Sequence, residues 1–156
     1  MNKFLLFITI IVSIVNAEVI EIQSCVDKFY EFNYETPDGN KIEIPKQTTL
    51  IIATFEKDMG VLVNEYLQSQ NQAYLLKHNL VFIADLSTIP AFFRKMFILP
   101  KFKKYRHHIY MTFNSKFKKT VPNEEGKVTF FRIENAKIAD ISYASTQEEL
   151  KAAIEK

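Results

Sequence analysis

Few side chains in this sequence could do chemistry, and their spacing limits what each could do. Cys25 is the only thiol. Thiol–disulfide exchange needs a second, resolving thiol, so single-cysteine peroxidase chemistry or an intermolecular disulfide is what remains open to it. A reactive thiolate needs a helix N-terminus or a cationic neighbour. Cys25 has Glu21 and Asp27 nearby instead, and an idle, structural cysteine is expected. His107 and His108 invite a metal, but adjacent strand residues point to opposite faces. His78 lies where a helix should end and where it would complement the dipole. No cysteine or spaced His/Glu set completes a ligand shell, so no metal site is expected.

Two charged groupings remain. Glu56, Lys57, Asp58 and Asp85 stand at the C-terminal ends of two apolar runs, LIIATF and LVFIADL. Ligands of open α/β sheets bind at that edge of parallel strands, and a helix N-terminus behind Lys57 favours a small anionic one. The plainer alternative is that Asp58 only caps the helix. The second grouping is Arg94, Lys95, Lys101, Lys103, Lys104 and Arg106, continued by Lys116, Lys118 and Lys119. It fits an acidic partner or an anionic membrane surface. It fits equally a solvated face over a helix whose phenylalanine stripe is core. Pro100 limits any lipid-lying helix here to about ten residues, which is short.

The elements that must position these residues follow from the order of the chain. Residues 4–15 (FLLFITIIVSIV) form an apolar stretch behind Lys3 and before Val15-Asn16-Ala17. This is the pattern of a signal peptide over residues 1–17 with cleavage near Ala17, which predicts a periplasmic or secreted chain of residues 18–156. Residues 29–44 alternate around Pro37-Asp38-Gly39 and predict a β-hairpin. Thr48–Gly60 (TTLIIATFEKDMG) is the centre of the chain: a strand apolar on both faces, then a charged turn into a helix carrying Leu62, Tyr66, Ala73 and Leu76, with a break at 68–72. Residues 80–86 predict a second buried strand, parallel to the first. Ser87 or Thr88 should cap a helix with Ile89, Phe92, Phe93, Met96 and Phe97 on one stripe, stopped or kinked at Pro100. A strand at 108–113, a loop at 115–125, a hairpin at 128–143 and a capping box at Thr146–Glu149 opening a last helix complete the domain.

At 156 residues with 14 Phe and 7 Tyr, one domain with its own core is expected. Three scattered glycines exclude both glycine-rich phosphate cradles, so no nucleotide cofactor is expected. The net charge is only +2. No RNA- or DNA-binding motif is present, so nucleic acid is not an expected partner.

This order resembles the thioredoxin-like superfamily, in the variant with an N-terminal hairpin found in peroxiredoxins and periplasmic thiol-disulfide proteins. FYEFNYETPDGNKIEI matches the lead-in hairpin, TTLIIATF the central strand, LVFIADL its parallel partner, and VTFFRIENAKIADISYASTQEELKAAI the closing hairpin and helix. The resemblance implies an α/β three-layer sandwich with a central mixed sheet. It also implies a site where Lys57 and Asp58 face Lys127, or His108 in an alternative register. The family's Cys-x-x-Cys belongs near Lys57–Val61 and its cis-proline before residue 128, and neither is present. The chain resembles the cysteine-free, secreted bacterial members of the superfamily more than its oxidoreductases. A binding or interaction module for an unidentified protein or small anionic ligand is therefore expected, with an oxidoreductase, through Cys25 or a cofactor, as the alternative.

Overall fold

The computed structural model describes residues 28–156. The expected signal peptide over residues 1–17, its expected cleavage near Ala17, and Cys25 lie outside that range. Two apolar runs set the architecture. Leu50–Thr54 (β3) and Leu80–Asp85 (β4) pair in parallel, Leu50 opposite Leu80 and Thr54 opposite Ala84. Between them run α1 (Lys57–Ser69) and α2 (Gln72–Lys77), separated at Gln70-Asn71 inside the expected break. The Asn71 side chain restarts the helix by accepting from the Tyr74 amide at 2.8 Å.

Around this unit a seven-stranded mixed sheet forms in the order β2-β1-β5-β4-β3-β6-β7. Here β1 is Tyr34–Glu35, β2 Lys41–Ile42, β5 Tyr110–Thr112, β6 Val128–Glu134 and β7 Lys137–Ala144. Strand β6 is antiparallel to β3, so β3 is central, with parallel β4 on one side and antiparallel β6 on the other. Alternation along β3 then divides the core. Ile51 and Ala53 face one layer with Phe29, Phe55, Phe117 and Phe131. Leu50 and Ile52 face the other, under α1 and α6 (Gln147–Glu155), with Val63, Leu67, Leu150 and Ile154. The result is the expected three-layer α/β sandwich around a mixed sheet.

The capping box forms: Thr146 Oγ1 accepts from the Glu149 amide at 3.2 Å, and the Glu149 carboxylate accepts from the Thr146 amide at 3.3 Å. The closing hairpin turns through Asn135 (φ 52°) and Ala136 (φ 59°), both left-handed, as a two-residue turn between twisted strands requires.

Five expectations are corrected. The lead-in hairpin reduces to the pairs Tyr34–Ile42 and Glu35–Lys41, because residues 28–31 are helical. Phe29 and Phe32, three apart, both pack on Phe117 (6.1 and 5.0 Å between ring centroids), which a helical turn allows and a strand does not. The loop at 115–125 contains a helical turn, α5 (Phe117–Thr120), which buries Phe117 completely. The strand expected at 108–113 is only Tyr110–Thr112, parallel to β4 and antiparallel to β1, so His107 and His108 precede it and are not strand residues. The third helical stretch begins at Ala91 with Pro90 as its N-cap, and neither Ser87 nor Thr88 caps it.

The largest correction concerns that stretch. It runs as α3 (Ala91–Phe93), a π-helical segment (Arg94–Ile98) and α4 (Leu99–Phe102), continuous through Pro100. A proline inside an α-helix clashes with the carbonyl four residues back and cannot donate. Widening the preceding turn accommodates the ring, and Leu99 N–H donates to the Arg94 carbonyl five residues back. Phe92, Phe93, Met96 and Phe97 do not enter the core: they are 65, 53, 57 and 63% exposed. Ile89, Ile98, Leu99 and Phe102 take the inward positions instead.

Candidate ligand site

The C-terminal ends of β3 and β4, the first turn of α1 and the 91–102 helix enclose a cavity of about 450 Å³. Its walls are mainly apolar, with Val61, Leu86, Ile89, Phe97 and Ile98 among them, and its polar groups converge from four elements. Lys57 comes from the start of α1, Asp85 from the end of β4, Lys101 from α4 and Lys118 from α5. A mostly apolar concavity with a few placed polar groups is the general form of a small-molecule site.

Asp85 is its most unusual residue. It is only 6% exposed. Oδ1 accepts from the Ser87 amide at 2.9 Å, and Oδ2 has no partner among the described residues. Burial pushes its pKa up, against the Ser87 hydrogen bonds and the Lys118 charge, which pull it down. A buried carboxylate oxygen left unpaired is costly, and a donor entering the cavity would satisfy it.

Beneath the cavity a polar pair ties α1 to the approach to β5. Asn64, buried in α1 and lining the cavity, donates through Nδ2 to the Gly60 carbonyl at 2.8 Å. A carbonyl can only accept, so Oδ1 is turned to His107 Nε2, 2.8 Å away, and the imidazole donates. Nδ1 of His107 is buried without a partner among the described residues. Tyr105, which also lines the cavity, stacks on His107 at 5.2 Å. Burial first, and the His108 charge second, lower the His107 pKa to about 4, so the ring is neutral at physiological pH.

Of the expected ligand edge, Lys57 and Asp85 therefore meet at this cavity, and three residues do not. Asp58 sits exposed in the first turn of α1; the N-cap is Glu56, with no side-chain cap bond. Lys127 pairs with Glu124 at 2.7 Å on the surface, and that contact raises its pKa. His108 is exposed and lines a separate, smaller cavity of about 200 Å³ with Leu67, Leu75 and Tyr110.

The basic face also divides. Arg94 turns inward, donating to the Leu86 carbonyl at 3.0 Å and lying 4.5 Å over the Phe113 ring. Lys103 pairs with Asp38 at 3.3 Å. Lys95, Lys101, Lys104 and Arg106 are exposed and make no ion pair among the described residues. Asn64 and Tyr105 were not marked by the sequence as site residues, and Lys118 was marked only as part of the basic run. Asn64 carries a signal in retrospect: a polar side chain one residue from the buried Val63, on the apolar face of a helix, needs a partner.

The turn leading from β3 into α1 is closed by Glu56, whose carboxylate accepts from the Gly126 amide at 3.2 Å through each oxygen. Gly126 and Lys127 lead into β6, antiparallel to the central strand. Lys57-Asp58-Met59-Gly60 forms the first turn of α1, directly after Glu56, and no thiol is present in it.

No protein-family model matches the sequence, and no curated protein matches it. Solved structures do match in fold. An uncharacterized thioredoxin-like protein from Porphyromonas gingivalis aligns with TM-score 0.51 and 16% identity, over 80% of this chain and 87% of that one. The fold is thioredoxin-like. A second thioredoxin-like neighbour in this sense, a candidate protein disulfide isomerase from Bacteroides thetaiotaomicron, aligns with TM-score 0.51 and 12% identity over 80% and 81% of the two chains. At such identities the likeness extends to the backbone only.

Proposed function

We propose that this thioredoxin-like chain is a secreted binding module that holds a small amphiphile in the strand-end cavity. The ligand class follows from the walls: an apolar or aromatic body, a hydrogen-bond donor for Asp85 Oδ2, and an anionic group for Lys57 and Lys101. The observation that carries the reading is the unpartnered Asp85 oxygen, buried and lining a cavity of about 450 Å³. The turn beside it offers no nucleophile for thiol exchange.

Anilinonaphthalene sulfonate combines an aromatic body, an N–H donor and a sulfonate, and serves as the probe. Titration followed by amide chemical shifts is expected to saturate, with the largest changes at Gly60, Val61, Asp85 and Ile89. Charge reversal by Lys57→Glu with Lys101→Glu is expected to weaken binding about tenfold or more. Shifts confined to residues 92–97, or no saturable shifts, would overturn the proposal. A Cys25→Ser variant is expected to bind equally well, and loss of binding in it would move the function to the thiol.

A further inference from the structure

The 91–102 helix is apolar on two faces, and the fold uses only one. Ile98, Leu99 and Phe102 pack against the core layer, and Arg94 pins the helix to the Leu86 carbonyl. On the outer face the rings of Phe92, Phe93 and Phe97 form a ridge, with centroids 5.8 Å (Phe92–Phe93) and 5.9 Å (Phe93–Phe97) apart, and Met96 is exposed on the same helix. Each of the four side chains is more than half exposed. Large apolar groups gathered on one surface mark an interaction site.

Charge, more than area, narrows the occupant. At roughly 200 Å² per large side chain, these four exposures leave on the order of 500 Å² of apolar surface. A standard protein interface takes about 800 Å² from each partner, a little over half of it apolar. Area alone therefore does not choose between a protein and a lipid surface, and the charge around the ridge decides. A lipid surface closes around a protruding wedge and needs no matching groove. The flank supplies the second component: Lys95, Lys101, Lys104 and Arg106 are exposed, with no acid anywhere between residues 94 and 119. A polybasic flank beside apolar anchors is drawn to anionic headgroups, while its alkyl stems follow the apolar phase. A free helix of twelve residues would be too short to order itself on lipid. Here packing of its inner face has already ordered it.

We infer that the Phe92–Phe97 ridge and its lysine flank dock the protein onto an anionic lipid bilayer. Phe97 and Lys101 belong both to this face and to the cavity wall, so docking sets the cavity against the membrane surface.

The test uses the mature chain from Glu18, phosphatidylcholine vesicles, and vesicles of phosphatidylcholine mixed with phosphatidylglycerol. Cosedimentation is expected to favour the anionic vesicles by about tenfold at low salt and to fall as salt rises. Phe93→Ser with Met96→Ser, neither of which lines the cavity, is expected to abolish it. Lys95→Gln with Lys104→Gln should weaken it and flatten its salt dependence. Both variants are expected to keep the cavity shifts with anilinonaphthalene sulfonate, which separates this proposal from the ligand site. Equal sedimentation with both vesicle types, or full retention in the Phe93/Met96 variant, overturns it. So does a concentration-dependent dimer that the same variant abolishes, because the ridge would then be covered by a second copy.

Discussion

His107 donates its Nε2 proton to Asn64 Oδ1 at 2.8 Å, while its Nδ1 is buried with no partner among the described residues. The fold thus holds a neutral ring, and protonating it would place an unpaired N–H, and a charge, in the interior. Its folded pKa is about 4 against an ordinary 6.5. The unfolded chain takes up a proton as pH falls through 6.5 and the folded one does not. Stability is therefore full above about pH 6.5 and drains away as pH falls toward 4. At about 1.4 kcal/mol per pKa unit, the loss reaches roughly 3 kcal/mol. Denaturant unfolding at a series of pH values is expected to show this slope, and His107→Gln to flatten it. An unchanged slope in the variant would place the titration elsewhere.

Asp85 has the opposite sign. Its pKa is raised by burial, so its contribution is favourable while protonated and is lost as pH rises through the raised value. Asp85→Asn removes the buried charge and is expected to stabilise the protein at pH 7 by about 1–2 kcal/mol, the scale of an unpaired buried polar group. The gain should shrink at acid pH, where the wild-type carboxyl is neutral. Thermal unfolding at two pH values checks it, and a loss of stability at pH 7 contradicts it.

Ala136 has a φ of 59°, in the left-handed region that a side chain with a Cβ disfavours. Ala136→Gly converts the turn to Asn-Gly, the preferred two-residue hairpin sequence. It is expected to add about 0.5–1 kcal/mol of stability, the relief of strain exceeding the greater unfolded-state freedom of glycine. Chemical denaturation of the two proteins reads it directly.

The Glu56 carboxylate fastens the β3–α1 turn to the loop before β6 through the Gly126 amide. Glu56→Ala is expected to speed hydrogen exchange at Gly126 while costing less than about 1 kcal/mol overall, since the contact is exposed. Unchanged exchange would mean that the loop is held by other contacts.

The parts of this fold that could be read from sequence are those where burial and period agree. LIIAT and LVFIAD are buried strands, and TQEE is a capping box, because each signal is local and unopposed. Phe29 and Phe117 were not legible as core partners, since Phe29 reads as part of an alternating strand, Phe117 sits among lysines, and their contact joins distant segments. The phenylalanines at 92, 93 and 97 failed for another reason. Helical spacing tells which side chains share a face, and the direction of that face is set by what the helix packs on. Half of the candidate site was visible for a similar reason. Lys57 and Asp85 end two strands whose parallel pairing the sequence implies, whereas Lys101, Lys118 and Tyr105 reach the cavity through tertiary packing alone.

The π-helical segment Arg94–Ile98 is in effect one residue more than an α-helix between the same ends would hold. An α-helix turns about 100° per residue, so removing one residue there would swing everything before it by that angle relative to Ile98, Leu99 and Phe102. The outward display of Phe92 and Phe93 is thus encoded in chain length as much as in side-chain chemistry. A single-codon deletion could rotate the ridge away while leaving every one of its aromatic residues in the sequence.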